Sequence, residues 1–464
     1  MSRPPTPSNR APHHSADFRF KTNGTACEWG EAYHPGGYHP VHIGDIIQSR
    51  YRVLRKLGYG SYSTVWLVVD HIQPNRLMAL KIATASMDQG IIDKEVTLHR
   101  QLAAAGTQHN GSPFLVMLQT YFQFQGPNGT HACFVLDVMG PHLTEMLHLC
   151  PEFQIGEPWE RRFTKQFAKK VLQDVLHGLQ FLHENGVVHG DLHTGNILVN
   201  VRSIKTDEAS IKNLEQSTDT IQCSSLRRLD GKTDPWAPEY LIQPEPLYEY
   251  TSLDLEPLAK ITDLGSAFLE DYPPAETVTA VAFRAPELIF GRPFGKGIDI
   301  WSFGCLLFEL LTGSSLFCVS PLGGDKLDES INDEHLIQFF DLLGPLPETL
   351  FSRWRRRWEY FDQEGKRLYP VNHADEGSDD LDMADTASDD AETSELGSFD
   401  STETAFLAPA FGYDALEKRF RDKKTNDIDE KEETQLLQLM HWVLQYDPAQ
   451  RPSPTEILEH PWFN

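Results

Sequence analysis

The chain has 464 residues, 40% hydrophobic and 23% charged, enough for one large two-lobed core or two to three small domains. A formal charge of −26 disfavours nucleic acid as a direct ligand and favours basic partners. The six cysteines show no CxxC and no regular spacing, no apolar run is long enough to span a membrane, and no signal-peptide core opens the chain, so the expectation is a cytosolic or nuclear protein without disulfide framework, zinc site or membrane anchor.

Residues 1–38 are rich in Pro, Gly, Ser and His and read as a flexible, disordered tail. His13, His14, His34, His39 and His42 lie in it or just past it, without Cys or acidic partners at ligand spacing. From Tyr51 the texture changes to β-branched and aromatic runs, predicting strands over 51–60, 62–70 and 76–83, then a helix over 88–102 and two strands within 114–124 and 131–140. Together these make a small five-stranded antiparallel lobe over 39–140 with one main helix. A larger, mostly helical lobe follows over 141–464. Its first long helix keeps Phe167, Val171, Leu172, Val175, Leu179 and Leu182 at helical spacing and stops at Gly186. Further helices are predicted at 297–312, 334–343, 432–444 and 454–459. Two inserts interrupt the pattern. The spacer over 201–258 is polar first, then rich in Pro and aromatics that suit surface packing. The stretch 372–406 holds about twelve acidic residues and no Lys or Arg, a composition that stays disordered.

The run HGDLHTGN (189–196) places Asp191 and Asn196 five residues apart on a short turn between apolar segments. In phosphoryl transfer such an Asp takes the substrate hydroxyl's proton while the Asn holds a metal ion against the phosphates. Alone, this run fits both protein kinases and small-molecule kinases. Gly58 and Gly60 let a strand–turn–strand backbone approach phosphates, although Ser63 stands at the usual third glycine. On the next strand Ala79 is small enough to lie beside adenine and Lys81 can reach the phosphates. Glu95, fourteen residues on, falls in the predicted helix and can hold Lys81 by an ion pair. Asp263 in Asp-Leu-Gly suits a bridging magnesium. The later motifs read as structural: Glu287 pairs with Arg451, and Asp299 tethers the catalytic turn.

This ordered set resembles the eukaryotic protein kinases from about residue 50 onward. The segment GGYHPVHIGDIIQSRYRVLRKLGYGSYSTVWLVVD, with HACFVLDVMG, the long spacer before DLGSA and the ending EILEHPWFN, is similar to the SR-protein kinases, which phosphorylate serine/arginine-rich splicing factors. The resemblance implies an α+β two-lobed protein-kinase fold, ATP and Mg2+ as cofactors, a monomer, and basic Arg/Ser-containing protein substrates. It implies Leu136 as gatekeeper, adenine hydrogen-bonded by the Asp137 carbonyl and Met139 amide, and Val65 and Leu198 on its two faces. Leu57, Gly58, Gly60, Ala79 and Lys81 complete the nucleotide site. Asp191 would be the base, Lys81 with Glu95 the phosphate anchor, and Asn196 and Asp263 the metal ligands. The family's groove for Arg-rich peptides would use Glu334 and Asp341, seven apart on one helical face, which reads equally as a solvated acidic face.

Three departures matter. Gly190 replaces the Arg that in many kinases pairs with an activation-loop phosphate, so activity independent of loop phosphorylation is expected. His193 stands where a Lys usually contacts the transferred phosphate, and Ala280 where a Thr usually meets that Lys. These leave open a slow enzyme, a pseudokinase scaffold that holds basic partners, or a site in which His193 does the work. Retention of Lys81, Glu95, Asp191, Asn196 and Asp263 favours an active enzyme. Val281 and Ala282 replace polar residues of the substrate-facing loop and leave dedication to Ser-Arg repeats open.

Overall fold

The computed structural model describes residues 4, 6–12, 14–21, 26–73, 76–106, 109–153, 161–219, 223–319, 327–368 and 412–464; the acidic insert expected over 372–406 lies outside them. β-Branched and aromatic runs pair into one antiparallel sheet of six strands. They are β1 (Ile46–Ile47), β2 (Tyr51–Gly60), β3 (Ser63–Asp70), β4 (Arg76–Ala83), β5 (Leu118–Gly126) and β6 (Gly129–Leu136), in the order β1-β2-β3-β4-β6-β5. The sequence predicts five. The sixth, β1, pairs Ile46 with Arg52 and Ile47 with Tyr51 through a turn whose Gln48 and Ser49 both have positive φ. Such turns usually announce themselves by Asn-Gly or Gly, and neither is present here.

One sheet face buries Trp66, Val68, Leu80, Ile82, Cys133 and Val135. Against Ala83, Ala132 and Phe134 packs α1 (Gln89–Ala105) through Ile92 and Val96. Asp88 caps α1 by accepting from Ile91 N. The chain continues through α2 (Leu143–Leu149) and α3 (Lys165–Glu184), which Thr164 caps and Gly186 ends at φ +70. Next come β7 (Val187–Val188), β8 (Ile197–Val199), α4 (Glu208–Leu214), β9 (Cys223–Ser225), β10 (Tyr240–Ile242), β11 (Ala259–Ile261), β12 (Phe268–Leu269), α5 (Pro286–Ile289) and α6 (Gly297–Thr312). Helix α3 lies so close to β11 that a Cβ on Gly178 would sit 2.9 Å from Ile261 Cδ1.

Two compact units are resolved, Met1–Cys318 with Phe420–Asn464, and Val319–Arg419. The second holds α7 (Leu327–Leu343) and α8 (Glu348–Phe351). There Trp354 Nε1 and the Tyr360 hydroxyl both donate to Asp333, at 2.6 and 3.1 Å. Helix α9 (Leu416–Lys423) carries the chain back to the first unit, which ends with α10 (Glu430–Val443) and α11 (Pro454–Leu458). Both end helices start with capping boxes, Asp429 with Glu432 and Ser453 with Glu456. Among the described residues no helix is long and apolar enough to cross a membrane.

The expectation of a disordered tail over 1–38 is corrected for its second half. Tyr33 and Tyr38 are 1% and 7% exposed and pack with Phe20, Ala237 and Leu241. Arg19 pairs with Glu31 at 2.9 Å and Asp234 at 3.3 Å. The apolar partners come from the spacer, about two hundred residues away, which local composition does not reveal. The spacer itself is anchored: Leu214 and Leu247 are fully buried against Leu54, Leu67 and Val69.

His39 packs in this region at 5.0 Å from both Phe124 and His131. Burial, with His131 beside it, pushes it down from 6.5 to about 4. An unfolded chain therefore takes up a proton between pH 6.5 and 4 that the folded one does not, so stability falls as pH drops through that window. Thermal melts across it should show this loss, and a His39→Leu variant should show a shallower one.

Candidate active site

Two short ladders hold the catalytic turn. β7 pairs with β12 and β8 with β11, both antiparallel, so residues 189–196 and 262–267 form neighbouring arches between the same two ladders. Thr262 N donates to Asn196 O at 3.0 Å and joins the arches. From α6, Asp299 (1% exposed) accepts from His189 N and Gly190 N, both at 2.9 Å, and lies 2.8 Å from His183 Nε2. Burial opposes its charge, but the hydrogen bond from His183 and the nearby histidines outweigh it and hold the carboxyl below its ordinary value. The turn is thus fixed by an anion beneath its backbone.

Within the turn, Asp191 Oδ1 accepts the Ala280 backbone N–H at 3.0 Å. The Asn196 amide nitrogen donates to Asp191 O at 2.9 Å. His193 Nδ1 accepts from Gly195 N at 3.0 Å, which leaves the ring proton of the neutral form on Nε2, 3.6 Å from Asp191 Oδ2. Gly190 has φ +80, and a Cβ there would lie 3.1 Å from Ser266 O and 3.3 Å from Thr277 Oγ1. The Thr279 hydroxyl donates to Gly190 O at 2.6 Å. Residues 277–280 therefore close directly over the turn.

Strand register builds the cleft above it. Gly58 is opposite Val65, Val65 opposite Lys81, and Ala79 opposite Leu136. The cleft encloses about 590 Å3. Leu57, Gly58, Gly60, Val65, Ala79, Lys81, Leu136, Asp137, Met139 and Leu198, the ten residues predicted to meet the nucleotide, all line it, as do Glu95, His193, Asn196 and Asp263. Asp191 is held by the turn beside Asn196 and His193 and is not part of that lining. The sequence reading missed His142 and Glu145 at the start of α2, and Pro244 and Pro246 from the spacer, which also line the cleft. Burial pushes Glu145 up to about 7 and His142 down to about 4.

Lys81 Nζ lies 3.3 Å from Glu95 Oε1 and 3.0 Å from Asp263 Oδ1. Burial alone would lower the ammonium's pKa, but Asp263 and Glu95 outweigh it and raise it above its ordinary value. Lys81 in turn pulls Asp263 down to about 2, so this carboxylate is ionised at any physiological pH. Asp263 has φ +65, a left-handed conformation rare outside Gly, and Gly265 N donates to its Oδ1 at 3.2 Å. Its side chain is 45% exposed. The Asn196 nitrogen is committed to Asp191, so its amide oxygen is the atom left for a cation. Two hard oxygen donors facing a cleft fit Mg2+, which keeps waters and phosphate oxygens as its other ligands. Among the described residues no cluster of three or more His, Cys, Asp or Glu forms a metal site of its own.

A model of the protein kinase domain matches residues 51–255 and 251–463. The chain is 28% identical over 444 residues to serine/threonine-protein kinase SRPK of Physarum polycephalum, covering 94% of this chain and 91% of that one. It is 27% identical over 415 residues to protein kinase dsk1 of Schizosaccharomyces pombe, covering 73% and 74%. With SRSF protein kinase 3 of Homo sapiens it shares 24% identity over an alignment of 560 positions, covering 93% and 89%. A chain with this cleft, this catalytic turn and these relatives belongs to the protein kinase family, as an SRPK-like serine/threonine protein kinase.

Proposed function

We propose that this kinase transfers the γ-phosphate of ATP to hydroxyls in basic, Arg/Ser-containing protein segments, and that it does so without phosphorylation of its own activation segment. The observation that carries the catalytic reading is Lys81 bridging Glu95 and Asp263 across the cleft, next to a turn that fixes Asp191 and Asn196. Asp191 takes the proton of the incoming hydroxyl, Lys81 anchors phosphate oxygens, and Asn196 and Asp263 hold the cation. When bound, Mg2+ neutralises charge on the phosphates.

Independence from loop phosphorylation is supported by what surrounds Gly190. Position 190 itself supplies no cation to receive a phosphate, and the Thr279 hydroxyl and Ala280 N–H tie the activation segment straight to the turn. The Ala280 N–H also gives Asp191 a partner that does not depend on the absent Thr side chain.

The basic substrate class is supported by the net charge of −26 and by the name SRSF protein kinase 3 of the human relative. The acidic pair on α7 supports it less directly. Glu334 accepts from the Tyr413 hydroxyl, and Asp341 accepts Tyr413 N at 3.1 Å and lies 3.8 Å from Arg367 Nε. An incoming arginine would have to exchange for these contacts. The pseudokinase scaffold is the second reading, favoured by His193 and Ala280 at their two positions.

The test is transfer of labelled γ-phosphate to an Arg/Ser-repeat peptide, beside a neutral Ser peptide and an Asp263→Ala control. The repeat peptide should be labelled preferentially, the control should lose the label, and phosphatase treatment of the kinase should leave the rate unchanged. Abolition by phosphatase would overturn loop independence. No label on either peptide with nucleotide still bound would favour the scaffold.

A further inference from the structure

The N-terminal segment reaches the glycine-rich turn between β2 and β3. Tyr38 sits in the buried cluster with Phe20, Tyr33, Ala237 and Leu241 and is not among the residues lining the cleft. Its hydroxyl oxygen lies 2.7 Å from Gly60 O and 3.2 Å from Ser61 O. Burial, with Glu28 nearby, pushes this hydroxyl up to about 12, so it keeps its single proton and shares it between the two carbonyls.

Tyr38 is itself anchored. The Asn128 side chain donates to Tyr38 O at 2.6 Å and to Trp236 O at 2.8 Å, tying the segment to the β5–β6 turn and the spacer. The Tyr33 hydroxyl donates to Glu28 at 2.5 Å, and Glu28 forms a buried ion pair with Lys56, four residues before Gly60 on β2. The turn itself is held by the pairing of Gly60 with Ser63 and by Thr84 N donating to Tyr62 O at 2.8 Å, while no side chain packs over its glycines: a Cβ on Gly58 or Gly60 would meet nothing within 4 Å. A glycine backbone that a ligand must fix loses more conformational entropy than one already held in place.

In a trans peptide the C=O and N–H of one unit point in opposite directions. Carbonyls of Gly60 and Ser61 turned to Tyr38 therefore turn the N–H groups of Ser61 and Tyr62 away from it. We propose that Tyr38 is a positioning residue for the nucleotide: by holding the Gly60 and Ser61 carbonyls, it presents the Ser61 and Tyr62 amides to the terminal phosphates of ATP. The proposal rests on the kinase reading above and adds the N-terminal segment to the machinery that binds phosphate.

Mg-ATP and adenosine, which has the same base and ribose but no phosphate, separate the two contributions. Equilibrium binding of both is measured on the full chain and on Tyr38→Phe and Tyr240→Phe variants. Tyr38→Phe should weaken Mg-ATP by about fivefold, the scale of one lost hydrogen bond, with adenosine affinity unchanged. Tyr240→Phe removes a hydroxyl whose contact is with Ile43 N rather than with the turn, and should leave the ATP-to-adenosine affinity ratio at the wild-type value. Unchanged ATP affinity in Tyr38→Phe, or an equal loss for both ligands, would overturn the proposal while leaving the kinase reading intact. A wild-type chain that binds neither ligand would overturn both.

Discussion

Replacing Asp191 by Asn should lower phosphotransfer to the repeat peptide by about 10²–10⁴-fold, the usual weight of a general base, while Mg-ATP still binds. The two carboxylate oxygens are not equivalent. Oδ1 is engaged by the Ala280 N–H at 3.0 Å, whereas the nearest groups to Oδ2 are Asn196 Nδ2 at 3.4 Å and His193 Nε2 at 3.6 Å, too long to be strong hydrogen bonds. Oδ2 is thus the atom left for a substrate proton. An Asn keeps the shape and the contact to Ala280 but accepts no proton, so the variant isolates the chemical role. Single-turnover transfer is the direct measurement. A rate equal to wild type would remove Asp191 as base, whereas no turnover above background in either chain, with basic-partner binding retained in both, would make it a scaffold.

The parts of this site legible in the sequence are those whose chemistry demands fixed residue types at short spacing. Asp191 and Asn196 are five apart on one turn, and Lys81 and Glu95 are fourteen apart on a strand and the helix after it. Helix α6 was legible to the residue, 297–312, because a mostly apolar run, interrupted by Asp299 and Glu309, lies between Gly297 and Gly313. What was not legible depends on pairings far apart in the chain. Phe20 bridges to Arg228, Tyr38 reaches Gly60, and Pro244 and Pro246 form part of the nucleotide cleft. No local pattern encodes such contacts, and the Pro, Gly and Ser around the N-terminal aromatics mask them further. The link from Thr279 to Gly190 was hidden for another reason. It uses a backbone carbonyl, and a sequence cannot show which carbonyl a hydroxyl will find. Ala280 is similar: its side chain signals a lost contact, yet its backbone N–H supplies one.

Replacing Arg451 by Met should cost about 3–5 kcal/mol of stability, read as a lower denaturant midpoint, because it strands a buried carboxylate. The guanidinium donates to Glu287 Oε1 and Oε2 at 2.6 and 2.8 Å, with side chains 0% and 1% exposed. It also donates to Gly297 O and Gln445 O, both at 2.8 Å, and its carbon centre lies 5.1 Å over the Trp301 ring. One side chain therefore joins α5, the start of α6 and the segment after α10. Since α6 carries Asp299, which holds the catalytic turn, activity should fall with the fold rather than separately. A Glu287→Met, Arg451→Met double variant distinguishes the causes. If the loss comes from the unpaired charge, the double variant should recover part of it, as apolar replacement of a whole buried pair usually does. Recovery should stay incomplete, because the Gly297 and Gln445 carbonyls still lack their donor. A single variant as stable as wild type would show instead that Glu287 is satisfied without Arg451, and the pair would have no structural role.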